Sequence, residues 1–298
     1  MSLASGNENP KLHGLAGGEK PQRPDWTIDQ DWDSYSADDH GVWKFLYERQ
    51  MTIMPGRACR SFIDGLKALP ILSNTIPRFD ELSDVLMKAT GWQIVAVPGL
   101  IPDDVFFDHL ANRRFPAGQF IRKSNELDYL QEPDVFHDVF GHVPLLYNPV
   151  MADFICAYGK GGLRALEMGV LDHLARLYWY TVEFGLVRED GDLRIFGAGI
   201  LSSYSETLFC LEDQSPHRVN LDLSRVMRTR YRIDDFQEIY FILESLDQLL
   251  GFANIDFLPL YTAVKNQPDL KPFDLDPHDK ITHKGTGDYA RNVLALKA

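Results

Sequence analysis

Glu132-Pro-Asp-Val-Phe-His137-Asp-Val-Phe-Gly-His142-Val-Pro144 places two histidines five residues apart in an apolar-periodic segment. The pattern predicts a helix over 134–142. Imidazoles inside such a segment are costly to leave without a partner. On a regular α-helix, positions five apart are rotated by roughly 140°, at ~100° per residue, so the two rings do not stack. A bend or a tightening between them lets the ring nitrogens converge. Gly141 and Pro144 are the residues that permit one.

A second stretch, Leu177-Tyr-Trp-Tyr-Thr-Val-Glu183-Phe-Gly185, carries a lone carboxylate in a strongly apolar helix. An ionised carboxylate there is expensive unless something cationic meets it. Iron(II) held by His137, His142 and Glu183 is one answer. Two imidazoles and one carboxylate leave coordination positions open, the arrangement of non-haem iron(II) oxygenases. The other answer is structural: two hydrogen-bonded core histidines, with Glu183 paired to Arg176 or another arginine. A zinc centre that activates water for hydrolysis fits the same three residues. No HExxH, no Gly-x-Ser-x-Gly and no phosphate-binding glycine loop occurs. Gly197-Ala-Gly199 lacks the rest of a dinucleotide fingerprint.

Around these stretches lies a chain of 298 residues, 45% of them apolar, enough to bury a sizeable core. The 18 Phe, 12 Tyr and 5 Trp fit an aromatic core or an aromatic-lined pocket for a flat ligand. A net charge of −13 disfavours nucleic acid and anionic membrane as partners. No apolar run approaches the roughly 18 residues of a membrane helix, and the head lacks the apolar core of a secretory signal. A cytoplasmic protein is expected. Three widely spaced cysteines, Cys59, Cys156 and Cys210, predict reduced, packed thiols.

The organisation reads as a mainly α single domain with a few short strands. Residues 1–23 are polar and Gly/Pro-rich, a disordered head. The domain spans 24–266, and 267–298 is a polar, loosely packed extension. Helices are predicted around 42–49 and over 60–69, 79–90, 150–158, 171–185 and 203–212, with a long one near 245–265. Gly91 sits where a helix stop belongs, and Pro102-Asp103-Asp104 opens another helix. Strands are predicted at 93–97, 115–122 and 231–236. Asp190-Gly191 is a tight turn joining 185–189 to 192–196 as a hairpin.

Three blocks in order, "EPDVFHDVFGHVPLL", "ARLYWYTVEFGL" and "GAGILSSYSET", closely resemble the catalytic domain of the pterin-dependent aromatic amino-acid hydroxylases. The resemblance is greatest to bacterial phenylalanine 4-hydroxylases and covers roughly 26 to 260. It implies a helical basket with iron near the floor of a deep pocket, held by His137, His142 and Glu183. It also implies a tetrahydrobiopterin or related tetrahydropterin against Gly99, Leu100, Ile101 and Phe106, with O2 as co-substrate and L-phenylalanine hydroxylated to L-tyrosine. The Phe106 ring would stack on the pterin; plain core packing is its other reading. Arg122 matches the arginine that grips the substrate carboxylate, a task suited to a guanidinium fork. Pro133, Trp179, Phe184, Ser202 and Ser203 match residues lining the substrate site. Ser203-x-x-Glu206 also reads as a helix capping box. Ile233 stands where the tyrosine hydroxylases of the family carry an acidic residue, which favours phenylalanine. A tryptophan hydroxylase is the nearest rival reading.

Some positions depart from the animal members. Asp138 replaces a glutamate, and Leu130 replaces a polar residue near the substrate. A separate regulatory domain and a tetramer-forming helix are not expected, so the protein is expected to be a monomer or dimer.

Overall fold

Ser36 starts the first long helix. Its hydroxyl accepts from Asp39 N, and the Asp39 carboxylate accepts from Ser36 N in return. This reciprocal cap launches α1 (Ala37–Ile53), which buries Trp43, Leu46, Gln50 and Ile53 along one stripe. In the computed structural model, residues 23–128 and 132–297 are described, with side chains to 293. The head expected over 1–23 thus lies almost wholly outside the described residues, as does Leu130.

Next come α2 (Arg60–Ala68) and α3 (Phe79–Ala89), which is followed by Gly91 at φ 75°. The left-handed conformation at Gly91 turns the chain into β1 (Gln93–Val97). α4 (Asp103–Ala111) crosses over to β2 (Arg114–Gly118), which pairs parallel with β1. β2 is shorter than the 115–122 expected. Beyond Gly118 the backbone turns to other partners: Arg122 N donates to Asp134 Oδ2, and Phe120 O accepts from Val135 N.

The histidine stretch, Phe136–His142, is a π-helix that runs into α5 (Val143–Leu146). α6 (Pro149–Met168) is the longest helix among the described residues. Asn148 caps it, Pro149 opens it, and Gly169 at φ 65° closes it. α7 (Leu171–Tyr178) continues into a second π-helix, Trp179–Glu183.

β3 (Leu186–Glu189) and β4 (Asp192–Ile195) form the expected hairpin through Asp190 and Gly191, both at positive φ. α8 (Ala198–Leu201), α9 (Tyr204–Glu212), β5 (His217–Asn220), α10 (Leu223–Arg228) and β6 (Ile239–Leu243) follow. The chain ends with α11 (Gln248–Ala253), α12 (Phe257–Lys265), β7 (Ile281–His283) and α13 (Asp288–Lys297). β4-β3-β6-β5-β7 is the order of the second sheet, with β3, β6 and β5 parallel.

Three expectations need correction. Residues 231–236 form no strand. Arg232 there pairs with Asp234, Asp235 and Glu238, so these side chains satisfy one another locally. The strand is the wholly buried β6 just beyond. The long helix near 245–265 is two helices, because Asn254 closes α11 and the Asp256 carboxylate caps α12 by accepting from Leu258 N. The stretch after 266 is also tied to the body. Asp269 pairs with Arg176 and Arg230, β7 pairs with β5, and Tyr289 packs against Phe209 and Phe236.

The elements share one hydrophobic core rich in aromatic rings, including Trp43, Trp92, Phe107, Phe136, Tyr180 and Phe241. Among the described residues, no helix is long and apolar enough to cross a membrane. Cys59, Cys156 and Cys210 are free and buried.

Candidate metal centre

A π-helix closes wider turns with i→i+5 hydrogen bonds, so residues five apart share a side far more nearly than on an α-helix. That geometry brings His137 and His142 together. Their Nε2 atoms are 3.2 Å apart, and the rings meet edge to face. The turn has therefore widened, where the sequence suggested a bend or a tightening. The second π-helix behaves alike: Phe184 N donates to Trp179 O five residues back, at 2.8 Å. It turns Glu183 toward the histidines. His142 Nε2 lies 3.2 Å from Glu183 Oε1, and His137 Nε2 lies 3.6 Å from Glu183 Oε2. One donor atom from each residue falls within 4.8 Å of the others.

Second-layer contacts fix these donors. The Ser202 hydroxyl donates to Ala198 O at 2.8 Å, so its oxygen is left to accept from His137 Nδ1 at 2.9 Å. That bond places the His137 proton on Nδ1 and turns the Nε2 lone pair inward. Burial pushes the His137 pKa down to about 4, so the ring is neutral and able to ligate near neutral pH. Arg176, the arginine considered as a structural partner for Glu183, forks onto Asp269 at 2.7 and 2.9 Å.

The "GAG" stretch serves close packing. A Cβ on Gly197 would stand 2.3 Å from Glu183 O, and one on Gly141 would stand 2.8 Å from Ala198 O. Only glycine at these positions lets α8 pack against both π-helices, which is how Ser202 reaches His137.

Asp134, four residues before Asp138 and three before His137, is fully buried. It accepts from Arg122 N, Nε and Nη2 at 3.0, 2.8 and 2.9 Å, and from His137 N at 3.0 Å. The sequence reading gave it no role, although a carboxylate three residues before a helical N–H is an ordinary helix-start signal. Asp138 accepts from Gly118 N at 2.8 Å, and burial pushes its pKa up to about 7.

The remaining site residues fall around this centre. Trp179 stacks on Tyr231 at 4.3 Å and packs on Phe184 at 4.7 Å. Phe184 Cζ and Glu183 Oε2 lie 3.0 and 3.2 Å from where a Cβ on Gly199 would be. The ring stack therefore ends beside the Glu183 carboxylate. Phe106 is buried and meets Phe107 and Tyr178 edge-on, and Tyr178 lies along His142. Gly99 has φ 150°, and a Cβ there would meet Glu132 Oε1 at 3.1 Å, beside the exposed Pro133. Ser202 is buried, donating to Ala198 O and accepting from His137 Nδ1.

Ser203 caps α9 by accepting from Glu206 N, but the reciprocal half of the expected box does not form. Glu206 turns inward to accept from the Tyr240 hydroxyl and from Gln237 N. A cleft of about 460 Å³ beside Arg225 and Asp279 contains none of these residues, and those two side chains are paired with each other.

The profile described as biopterin-dependent aromatic amino acid hydroxylase matches residues 32–253. The chain belongs to this family. A phenylalanine-4-hydroxylase of Caulobacter vibrioides is 56% identical over 278 residues, 93% of this chain and 95% of the relative. One from Chromobacterium violaceum is 55% identical over 88% of each chain. The iron- and phenylalanine-bound crystal structure of the Chromobacterium violaceum enzyme superposes with a TM-score of 0.84 at 53% identity, over 89% of this chain and 96% of that one. Its cobalt-bound form gives 0.85. A biopterin-dependent hydroxylase needs a redox metal as well as its pterin, and two imidazoles with one carboxylate fit iron(II) as that metal.

Proposed function

We propose that this protein is an iron(II)- and tetrahydropterin-dependent monooxygenase that converts L-phenylalanine to L-tyrosine with O2. The observation that carries the reading is the convergence of His137, His142 and Glu183 on one point, from two π-helices. In this reading those three side chains hold the iron. Bound iron(II) and tetrahydropterin supply the O2 activation that side chains alone cannot, one oxygen atom entering the ring and the other leaving with the pterin.

The chain's own residues bind, orient and exclude water. Arg122 grips the substrate carboxylate. Asp134 already holds its Nε and one Nη2 proton, so the carboxylate is met by Nη1 and the outer edge of Nη2. Trp179, Phe184 and Pro133 flank the aromatic ring, and Ser203 lies toward the amino-acid end. Ser202 lies at the same end, held by its bonds to His137 and Ala198. Gly99, Leu100, Ile101 and Phe106 form the pterin wall, with Phe106 braced from behind by Phe107 and Tyr178. The apolar Ile233 suits phenylalanine over tyrosine. A monomer or dimer in the cytoplasm completes the reading.

The test is incubation of purified protein with iron(II), a tetrahydropterin, O2 and phenylalanine. Tyrosine is expected in step with oxygen uptake. Hydroxytryptophan as the preferred product would move the substrate assignment to tryptophan. Zinc-supported hydrolysis without oxygen uptake would overturn the reading.

A further inference from the structure

Gln237 lies in the loop between α10 and β6 and is 2% exposed. It touches none of the three convergent donors, yet each end of its amide is engaged. Its Oε1 accepts from Trp179 Nε1 at 2.9 Å. Its Nε2 donates to Arg232 O at 2.8 Å. Its backbone N–H donates to Glu206 Oε1 at 3.3 Å, which ties the base of the loop to α9.

Two separate pieces of the pocket therefore meet at one side chain. One is the Trp179 indole, carried by the same π-helix as Glu183. The other is the 231–236 loop, which forms no strand and which supplies Tyr231 to the ring stack. Tyr231, Trp179 and Phe184 form a continuous stack that ends at the Glu183 carboxylate. An indole in such a stack can slide or turn in its own plane, because stacking fixes the distance between planes more firmly than the rotation within them. A hydrogen bond to Nε1 removes that freedom.

We propose that Gln237 is a positioning residue for substrate recognition: it locks the Trp179 indole and the 231–236 loop into one rigid wall against which the substrate ring packs. This rests on the reading of Trp179 as a wall of the phenylalanine site. Gln237 acts through Trp179 and takes no part in the chemistry, so its removal weakens binding of the amino acid and leaves the chemical step nearly unchanged.

The experiment is a double-mutant cycle on the iron-loaded enzyme, with Gln237→Met, Trp179→Phe and the pair combined. Phenylalanine affinity is measured by calorimetry, and KM and kcat are measured separately. Gln237→Met is expected to weaken phenylalanine binding about tenfold, the scale of one buried hydrogen bond left unmade, with kcat within about twofold. The combined variant is expected to bind no worse than the weaker single variant, because both changes break the same contact. Gln237→Glu serves as the rescue. A buried acid held neutral by its surroundings offers one acceptor and one donor, as the amide does, so affinity should return to within about threefold of wild type.

Undiminished affinity in Gln237→Met, additive losses in the combined variant, or no recovery in Gln237→Glu would each overturn the proposal. Trp179 emission, taken as the difference from Trp179→Phe, gives a readout independent of substrate. It should shift in Gln237→Met, and no shift counts against the lock. If the wild type itself fails to bind or hydroxylate phenylalanine, the functional reading fails, and the emission shift still decides whether Gln237 fixes the indole.

Discussion

Asp134 ties Arg122 and His137 together through one carboxylate. It accepts three N–H groups of Arg122 and the backbone N–H of His137. Removing one partner of a buried ion pair leaves the other charge uncompensated, which costs about 3–5 kcal/mol. Asp134→Ala is therefore expected to lose stability on that scale, read as a lower urea midpoint. A variant within about 1 kcal/mol of wild type would show the pair to be solvated.

Glu206 gives a pH signature. Burial raises its pKa from an ordinary 4.5 to about 7. Between those two values the folded state binds more protons than the unfolded chain, so this residue's contribution to stability falls as pH rises from about 4.5 to about 7. Glu206→Gln keeps an acceptor for Tyr240 and removes the titration. It should melt about 2–4 °C above wild type at pH 8 and show no gain near pH 4. An equal gain at both pH values would contradict the assignment. The three convergent side chains were legible in the sequence because histidines and a lone acid among apolar residues are conspicuous. Asp134 and Gln237 were not, since their meaning lies in partners such as Arg122 and Trp179, 12 and 58 residues away.

At the level of elements, two widened helical turns do the assembling. A five-residue histidine spacing is awkward on an α-helix and natural on a π-helix. Apolar periodicity located both helices, but nothing in a local pattern announces i→i+5 bonding, which here comes with the packing of α8. Gly197 is the tightest point of that packing. Gly197→Ala should push the Glu183 backbone away and lower both the melting temperature and the iron retained after gel filtration. Full iron content in a folded Gly197→Ala variant would show that the contact does not set the donor geometry. β5 escaped sequence reading for a related reason. Its residues His217, Arg218 and Val219 are all buried, so no polar–apolar alternation remains to be read.

Across the whole molecule, the helix-rich class was legible from stripes such as Phe79, Leu82 and Leu86, which are buried as their spacing implies. The docking of the C-terminal stretch was not, because polarity suggested a loose tail while its attachments are ion pairs and strand pairing. Arg176 is almost wholly buried and pairs with Asp269. Truncation after residue 266 should therefore destabilise the protein by several kcal/mol and lower its melting temperature. An unchanged melting curve would show the tail to be dispensable.

The donor set itself is read most directly by X-ray absorption at the iron edge of the ferrous-loaded protein. Two imidazoles and oxygen ligands including one carboxylate are expected, with the imidazole scattering reduced in His142→Ala. A spectrum that requires no imidazole, or one unaltered in that variant, would contradict a centre built from His137, His142 and Glu183.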